Sequence, residues 1–529
     1  MIQFEGYALE VVLTTANAAA QAWYGYEQGI IAGILVSERF LDTFPQIRTP
    51  VIEGTFTSIF SLGNLVGCLL AALFGDKLGR KNTLRVGAAI SSIGAILQFS
   101  ATAFEQLMLG RVINGLGNGI YARERGMTSA TCGVFQAESV RGSRRGKLSV
   151  IVVLHNVVFY MIASWLTLGT FFLDNSGQWR IPFALQLVPA IVLIIFLFLV
   201  PESPRWLMLK DRHEEAIESL RRYLGKGLTA DDDVVQNEYK SIRGALEIER
   251  QSKISFKQVI LCRDRSSHLK RMLLGMGGQF MQQMGGINAL NYYFSIILQE
   301  NLGMTALMAR VLTGVNATTY CISTAMAFWI IERAGRRFLM LSGLGLQGFA
   351  YIMVAISVAL LATAPQQWGA VAITFLFFYY AAFGCTWGMV PWIYQAEINS
   401  LAMRVRGAAA ATSMNWLFGF VCTQFTSVGI RNLGYRFYII FAVLNVVFLP
   451  VVYFLYPETA NRTLEDLDAY FDRDSGHTTI IRIGDKVAKQ HKRPQEAIDA
   501  ERRRIEMTTE AEVFDRKLSG ISHVEEVPK

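Results

Sequence analysis

The sequence predicts an all-α, polytopic membrane protein with twelve transmembrane helices in two six-helix bundles and a cytoplasmic helical block between helices 6 and 7. Three observations carry that expectation. Only 17% of the 529 residues are charged, whereas 52% are hydrophobic. Soluble chains carry about 25% charge, so a soluble surface of this size is excluded. The apolar residues are gathered into runs such as 181–200, and a bilayer core about 30 Å thick needs about 20 helical residues per crossing. Finally, loop motifs from the first half of the chain return in the second at a nearly constant offset.

The first apolar stretch, 11–36, follows acidic Glu5 and Glu10 and is long enough to span, unlike a secretory leader. Five more spans are expected near 52–74, 83–103, 106–136, 147–173 and 181–200. The polar block 204–270 holds helix-forming stretches at 214–224 and 234–250 but no apolar run of spanning length. Spans 7 to 12 fall near 271–299, 309–331, 337–361, 368–396, 405–429 and 436–456. The tail, 457–529, carries Arg502, Arg503 and Arg504 among mixed charges and reads as solvated, mostly disordered or loosely helical polypeptide. The expected domains are therefore a bundle at 1–203, a linker at 204–270, a bundle at 271–456 and a tail at 457–529.

The net charge of +8 is a topology signal rather than a nucleic-acid signal. With the 204–270 block placed inside, four short inner loops carry four (76–85), four (141–147), three (333–337) and two (404–406) lysines and arginines. The outer side holds Arg39, Arg48, Arg180, Arg310, Arg431 and Arg436. The positive-inside rule then puts both termini in the cytoplasm, and the plasma membrane is the expected location. The six cysteines show no paired spacing, and five of them lie in apolar segments as small hydrophobes. No phosphate loop, HExxH motif or metal-spaced cluster occurs, so no cofactor, metal or enzymatic chemistry is expected.

The repeat is specific. Gly75 to Lys81 (GDKLGRK) is echoed by Ile331 to Arg337 (IERAGRR), and Pro201-Glu202-Ser203 by Pro457-Glu458-Thr459. Glu138 precedes Arg145 by the same seven residues that separate Glu397 from Arg404. Paired six-span halves around a midplane site are the architecture of an alternating-access carrier.

With GRVINGLGNG (110–119), PESPRWL (201–207), QQMGGINALNYY (282–293) and PETANRTLEDLD (457–468), the chain resembles the sugar porters of the major facilitator superfamily, particularly the fungal hexose and polyol carriers. The resemblance covers about residues 20–470. It implies that Glu138, Arg145, Glu397 and Arg404, with Glu202, Glu458 and the loop residues Asp76, Arg80, Glu332 and Arg336, form a cytoplasmic network. That network would hold the outward-open state and break when the inside opens. It also implies that Gln282, Gln283, Asn288, Asn316, Gly388, Trp392, Asn415 and Trp416 contact the substrate. Neutral amides donate and accept, which suits hydroxyl groups, and a tryptophan face suits the apolar face of a sugar ring. Counted at 100° per residue along one helix, Gln282, Gln283 and Asn288 share a broad polar side.

Glu27 stands in the middle of span 1 and Arg111 near the start of span 4. Isolated charges there are expensive, so a carboxylate–arginine pair is expected. In proton-coupled members of the family an acid at the Glu27 position takes the proton. The leading expectation is thus a secondary active transporter that moves a sugar or polyol across the bilayer as a proton symporter. A facilitative uniporter, with the pair as a permanent structural link, and a transporter-like nutrient sensor are the alternatives.

Three places depart from the family pattern. Seven extra residues, Ile120 to Gly126, put Arg123, Glu124 and Arg125 inside span 4. Each costs about 2.5–3.5 kcal/mol on insertion scales, which points to retained intron sequence, a local distortion, or a carrier that no longer transports. Val152 and Val153 stand where the family has a sugar-binding amide or acid, with His155 and Asn156 nearby; His155 reads as a satisfied polar-cavity residue. Met389 and Gly133 replace prolines, which removes expected helix breaks.

Overall fold

The computed structural model describes residues 4–123, 142–251, 258–259, 264, 266–400, 403–472, 480–481 and 485–490; among them there is no strand. The first bundle contains α1 (Tyr7–Ile34), α2 (Pro50–Leu78), α3 (Arg80–Phe99), α4 (Phe104–Arg123) and α5 (Gly142–Phe171). Its sixth crossing is broken at Gln186 into α6 (Gly177–Leu185) and α7 (Leu187–Leu199). Gln186 is buried and accepts a hydrogen bond from Asn114 at 3.1 Å, so the break is tied to α4.

The linker forms α8 (Pro204–Leu209), α9 (His213–Leu224) and α10 (Asp233–Gln251). Ser203 caps α8 by accepting from the Trp206 N–H, and Pro204 occupies the first turn, where its missing N–H costs nothing. Trp206, Leu207, Ala216, Leu220, Val235 and Leu246 give this block its own small core.

The second bundle continues with α11 (His268–Met284), α12 (Ile287–Ile296), α13 (Ala306–Ala334), α14 (Arg336–Leu360), α15 (Pro365–Cys385), α16 (Val390–Ile398), α17 (Arg404–Leu433) and α18 (Tyr435–Leu455). Six of the described helical segments are long and apolar enough to cross a membrane on their own: Pro50–Gly75, Ile151–Phe171, Gly177–Leu199, Arg336–Leu360, Pro365–Ile398 and Tyr435–Leu455. The remaining crossings fall short in part because α1, α4, α11 and α17 bury polar side chains, including Gln21, Glu27, Arg111, Gln282 and Asn415. Polar groups at membrane depth face protein or a cavity, so these helices stand at the centre.

The internal repeat appears as the same local structure built twice. Gly79 and Gly335 join α2 to α3 and α13 to α14 at φ of 89° and 83°, which a side chain would strain. Glu202 accepts from the backbone N–H groups of Arg80 (3.0 Å) and Lys81 (3.1 Å); Glu458 does the same with Arg336 (2.9 Å) and Arg337 (3.1 Å). Each carboxylate satisfies donors that the first turn of a helix leaves unpaired.

Two expectations are corrected. The seventh span is not one continuous helix: it breaks at Gly285 and Gly286, where Gly286 has a φ of 97°, and ends in a π-turn at Ile297–Asn301. The 100° count from Gln282 to Asn288 therefore does not apply. Nor is the whole tail loose. Leu467, Tyr470 and Phe471 of α19 (Leu464–Phe471) are buried, and farther on Ile481 and Ala488 pack under the second bundle. There the Ile481 N–H donates to the Phe454 carbonyl at 2.7 Å and the Glu458 N–H to the Ala488 carbonyl at 2.9 Å. Of the insertion residues in span 4, Glu124, Arg125 and Gly126 and the side chains of Ala122 and Arg123 lie outside the described residues, as does Gly133.

Candidate functional site

A cavity of about 960 Å³, its mouth included, lies between the bundles. The first bundle lines it with Gln21, Tyr24 and Gln28 of α1 and Val153, Asn156 and Val157 of α5. The second contributes Gln282, Gln283, Asn288, Asn291, Tyr320, Thr324, Gly388, Trp392, Thr412, Asn415 and Trp416. Seven of the eight expected substrate contacts thus share one cavity. Asn316 does not line it; it is buried in α13, a turn from Tyr320. His155 likewise stays out, placing Nδ1 2.7 Å from the Ile151 carbonyl and stacking on Phe159.

The amides are held by one another. Asn415 donates to Gln279 at 2.7 Å and to Gln282 at 2.9 Å, Gln279 donates to Gln395 at 3.1 Å, and Asn288 donates to Gln283 at 2.6 Å. Gln282 in turn donates to the Trp387 carbonyl at 2.7 Å. In an unbroken helix that carbonyl would receive the N–H of residue 391, but Pro391 has none. The break between α15 and α16 therefore persists although Met389 replaces the family's first proline, and Gln282 satisfies the carbonyl it exposes. Trp416 meets Tyr24 edge-on at 5.6 Å, closing one wall from both bundles.

Glu27 and Arg111 form the expected pair, both fully buried. Arg111 also donates to the Phe56 and Thr57 carbonyls at 3.1 Å each and lies over the rings of Phe56 and Phe60. Glu27 Oε2 has no hydrogen-bond partner among the described residues. The carboxylate thus uses one oxygen for the arginine and keeps a second site for a proton, next to Gln28 on the cavity wall.

At the end of the bundles away from the linker, the far end, polar contacts cross between them. Glu53 of α2 accepts from Ser427 Oγ at 2.6 Å and pairs with Arg431 of α17 at 3.1 Å. Arg431 also holds Glu300 at 3.0 Å and donates to the Arg48 carbonyl at 3.2 Å. Ser58 donates to Gln424 at 2.6 Å, and Arg310 to the Val36 carbonyl at 2.7 Å. No local sequence signal marks this set, because its partners are hundreds of residues apart.

The linker-end network is different. Arg336 makes two bonds to Glu397, at 2.8 and 3.2 Å, and Thr459 donates to Glu397 at 2.6 Å. With the Glu202 and Glu458 caps, these links run within a bundle. Glu332 is exposed at the end of α13, and Arg404 is half-buried at the start of α17. The side chains of Asp76 and Arg145 and all of Glu138 lie outside the described residues.

Known proteins resemble this chain in sequence and in fold. The family model described as "Sugar (and other) transporter" matches residues 12–471. An Aspergillus oryzae protein, MFS-type transporter oryC, is 35% identical over 97% of this chain and 94% of its own. The Saccharomyces cerevisiae sugar transporter STL1 is 33% identical over 88% of this chain and 82% of its own. Among solved structures, the proton:xylose symporter XylE bound to 6-bromo-6-deoxy-D-glucose superposes with a TM-score of 0.70 at 22% identity, covering 88% of this chain and 99% of that one. The chain belongs to the sugar (and other) transporter family of the major facilitator superfamily and is an integral, multi-pass membrane protein.

Proposed function

We propose that this chain is a secondary active transporter that moves a sugar or polyol across the membrane by alternating access, as a proton symporter. The observation that carries the reading is the buried Glu27–Arg111 pair, one residue from the wall of an amide-lined cavity between two bundles. Gln282, Gln283, Asn288 and Asn415 bind hydroxyls, while Trp392 and Trp416 cover the apolar face of the substrate. Protonation of Glu27 removes the attraction to Arg111, which keeps its two carbonyl partners, and lets α1 move against α4. The lysine and arginine distribution supports a cytoplasmic linker and termini, which makes the far end extracellular and the bonded set there a closed outer gate. The bundle boundaries at 203, 270 and 456 and a plasma-membrane location belong to the same reading. Curated relatives named as sugar transporters support the substrate class.

The test is labelled uptake across a panel of hexoses, pentoses and polyols in transporter-deficient cells, with and without a protonophore. Glu27→Gln is expected to abolish accumulation against a gradient while sparing exchange; full accumulation in that variant overturns the coupling. A facilitative uniporter is the second reading, favoured by the carbonyls and rings that hold Arg111 independently of Glu27. Uptake indifferent to the protonophore in the unaltered chain would select it.

A further inference from the structure

A second, open cavity, of about 1150 Å³ with its mouth included, lies at the linker end between the start of α3, the end of α7 and helix α9. Lys81, Arg85 and Arg222 line it. Each of these cations is hydrogen-bonded to backbone carbonyls: Lys81 to Val200 at 2.5 Å, Arg85 to Leu197 at 3.2 Å, and Arg222 to Leu199 and Phe4 at 3.3 and 3.4 Å. The Nε atoms of Arg85 and Arg222 are buried without a hydrogen-bond partner among the described residues.

The acids around the cavity are largely committed elsewhere. Glu202 is engaged by the N–H groups of Arg80, Lys81 and Ser203, Glu215 by Arg212, and Glu218 by Arg221. Glu214 remains, exposed at the rim. Of the lining charges, Arg212 and Glu215 offset one another and the half-buried Glu202 is capped by backbone N–H groups, which leaves Lys81, Arg85 and Arg222 as the lining cations with no side-chain hydrogen bond to a carboxylate among the described residues. Burial and the neighbouring Arg85 push the Lys81 ammonium down to about 8 despite Glu202.

The position of the cavity indicates what would neutralise it. The Arg85 guanidinium lies 4.4 Å above the ring of Phe198, which is more than half exposed. Val188, Ile191, Ile195 and Phe198 recur at helical spacing as an exposed apolar stripe along α7, the face this membrane helix turns to lipid. The basic cavity thus begins where the lipid-facing stripe ends. A soluble anion would gain nothing from that continuity, whereas a phospholipid would use both parts.

We propose that this cavity binds the headgroup of an anionic phospholipid from the linker-side leaflet. Lys81, Arg85 and Arg222 contact its phosphate, and an acyl chain lies along the α7 stripe. The inference is independent of the substrate and coupling assigned above.

The full chain, reconstituted in phosphatidylcholine alone or mixed with phosphatidylserine, would be released into detergent and its retained lipids identified by native mass spectrometry. Retention of phosphatidylserine over phosphatidylcholine is expected. The triple variant K81Q/R85Q/R222Q should lower that preference about a hundredfold, at about 1 kcal/mol per basic residue near an anionic surface. The conservative K81R/R222K variant should keep it. Because the triple variant risks misfolding, a photoreactive phosphatidylserine on the unaltered chain provides a second measure. Labelling should fall on peptides containing 81–85 and 195–198. Equal retention of both lipids, an unchanged preference in a folded triple variant, or labelling elsewhere overturns the proposal. Displacement of all retained phosphatidylserine by millimolar inorganic phosphate would assign the cavity to a soluble anion and also overturn it.

Discussion

Replacing Arg431 with glutamine should open the outer gate. Glu53 is 3% exposed and has two described partners, the Ser427 hydroxyl and Arg431. Removing one partner of a fully buried ion pair costs about 3–5 kcal/mol, because the other charge is left uncompensated. Arg431 is about a quarter exposed, and its bond to Glu300 is largely a surface contact worth about 1 kcal/mol or less. Water at that side and the retained Ser427 bond reduce the penalty to roughly 1.5–3 kcal/mol. In the outward-open state Glu53 is solvated, so the cost falls on the closed state alone. The equilibrium should move toward outward-open by about tenfold to a hundredfold, at 1.4 kcal/mol per tenfold. Adding Glu53→Gln removes the stranded charge and should restore most of the closed population. Spin labels at exposed Gln46 and Gln367, in an otherwise cysteine-free chain, would report the distribution by double electron–electron resonance. An unchanged distribution in Arg431→Gln, or a double variant as open as the single, refutes the latch.

Other consequences are testable on single residues. Pro391→Ala returns an N–H to the Trp387 carbonyl and releases Gln282; with one hydrogen bond worth about 1 kcal/mol, substrate affinity should fall several-fold, measured as KM for uptake. Ending the chain at residue 490 should leave uptake and thermal stability intact. Ending it at 478 removes buried Ile481, worth about 2 kcal/mol, and the Lys489–Tyr453 contact, and should lower the melting temperature by a few degrees. Lys81 is held at about 8 by burial and Arg85, opposed by Glu202, with Arg222 also adding to the lowering. Its charge is present below that pH and lost above it, so phosphatidylserine retention should weaken as pH rises through about 8, and Lys81→Arg should abolish that dependence.

What was legible in the sequence depended on how far apart the partners lie and whether physics confines them. Glu27 and Arg111 could be paired on paper because a charge within an apolar span has few affordable companions. The duplicated motifs gave more than a fold class: the bond from Glu202 to Arg80 spans 122 residues, and so does the one from Glu458 to Arg336. Helix breaks were harder. The interruption at Gly285 and Gly286 invalidated a face count made at constant pitch, and the one after Cys385 survived a lost proline because Gln282 supplied the missing donor. Cavity residues Tyr320, Thr324 and Thr412 were passed over because one hydroxyl in an apolar span reads as ordinary helix packing. Glu53 and Ser427, 374 residues apart, meet only once both bundles are assembled.

The bond from Gln282 to the Trp387 carbonyl also bears on the half of the cycle in which nothing is carried. A carrier must return unloaded, and stripped amides facing an emptied chamber would oppose that step. Here Asn415 and Gln282 satisfy one another and the exposed carbonyl without a guest. Those two amides therefore add little desolvation penalty of their own to the return step of an alternating-access cycle.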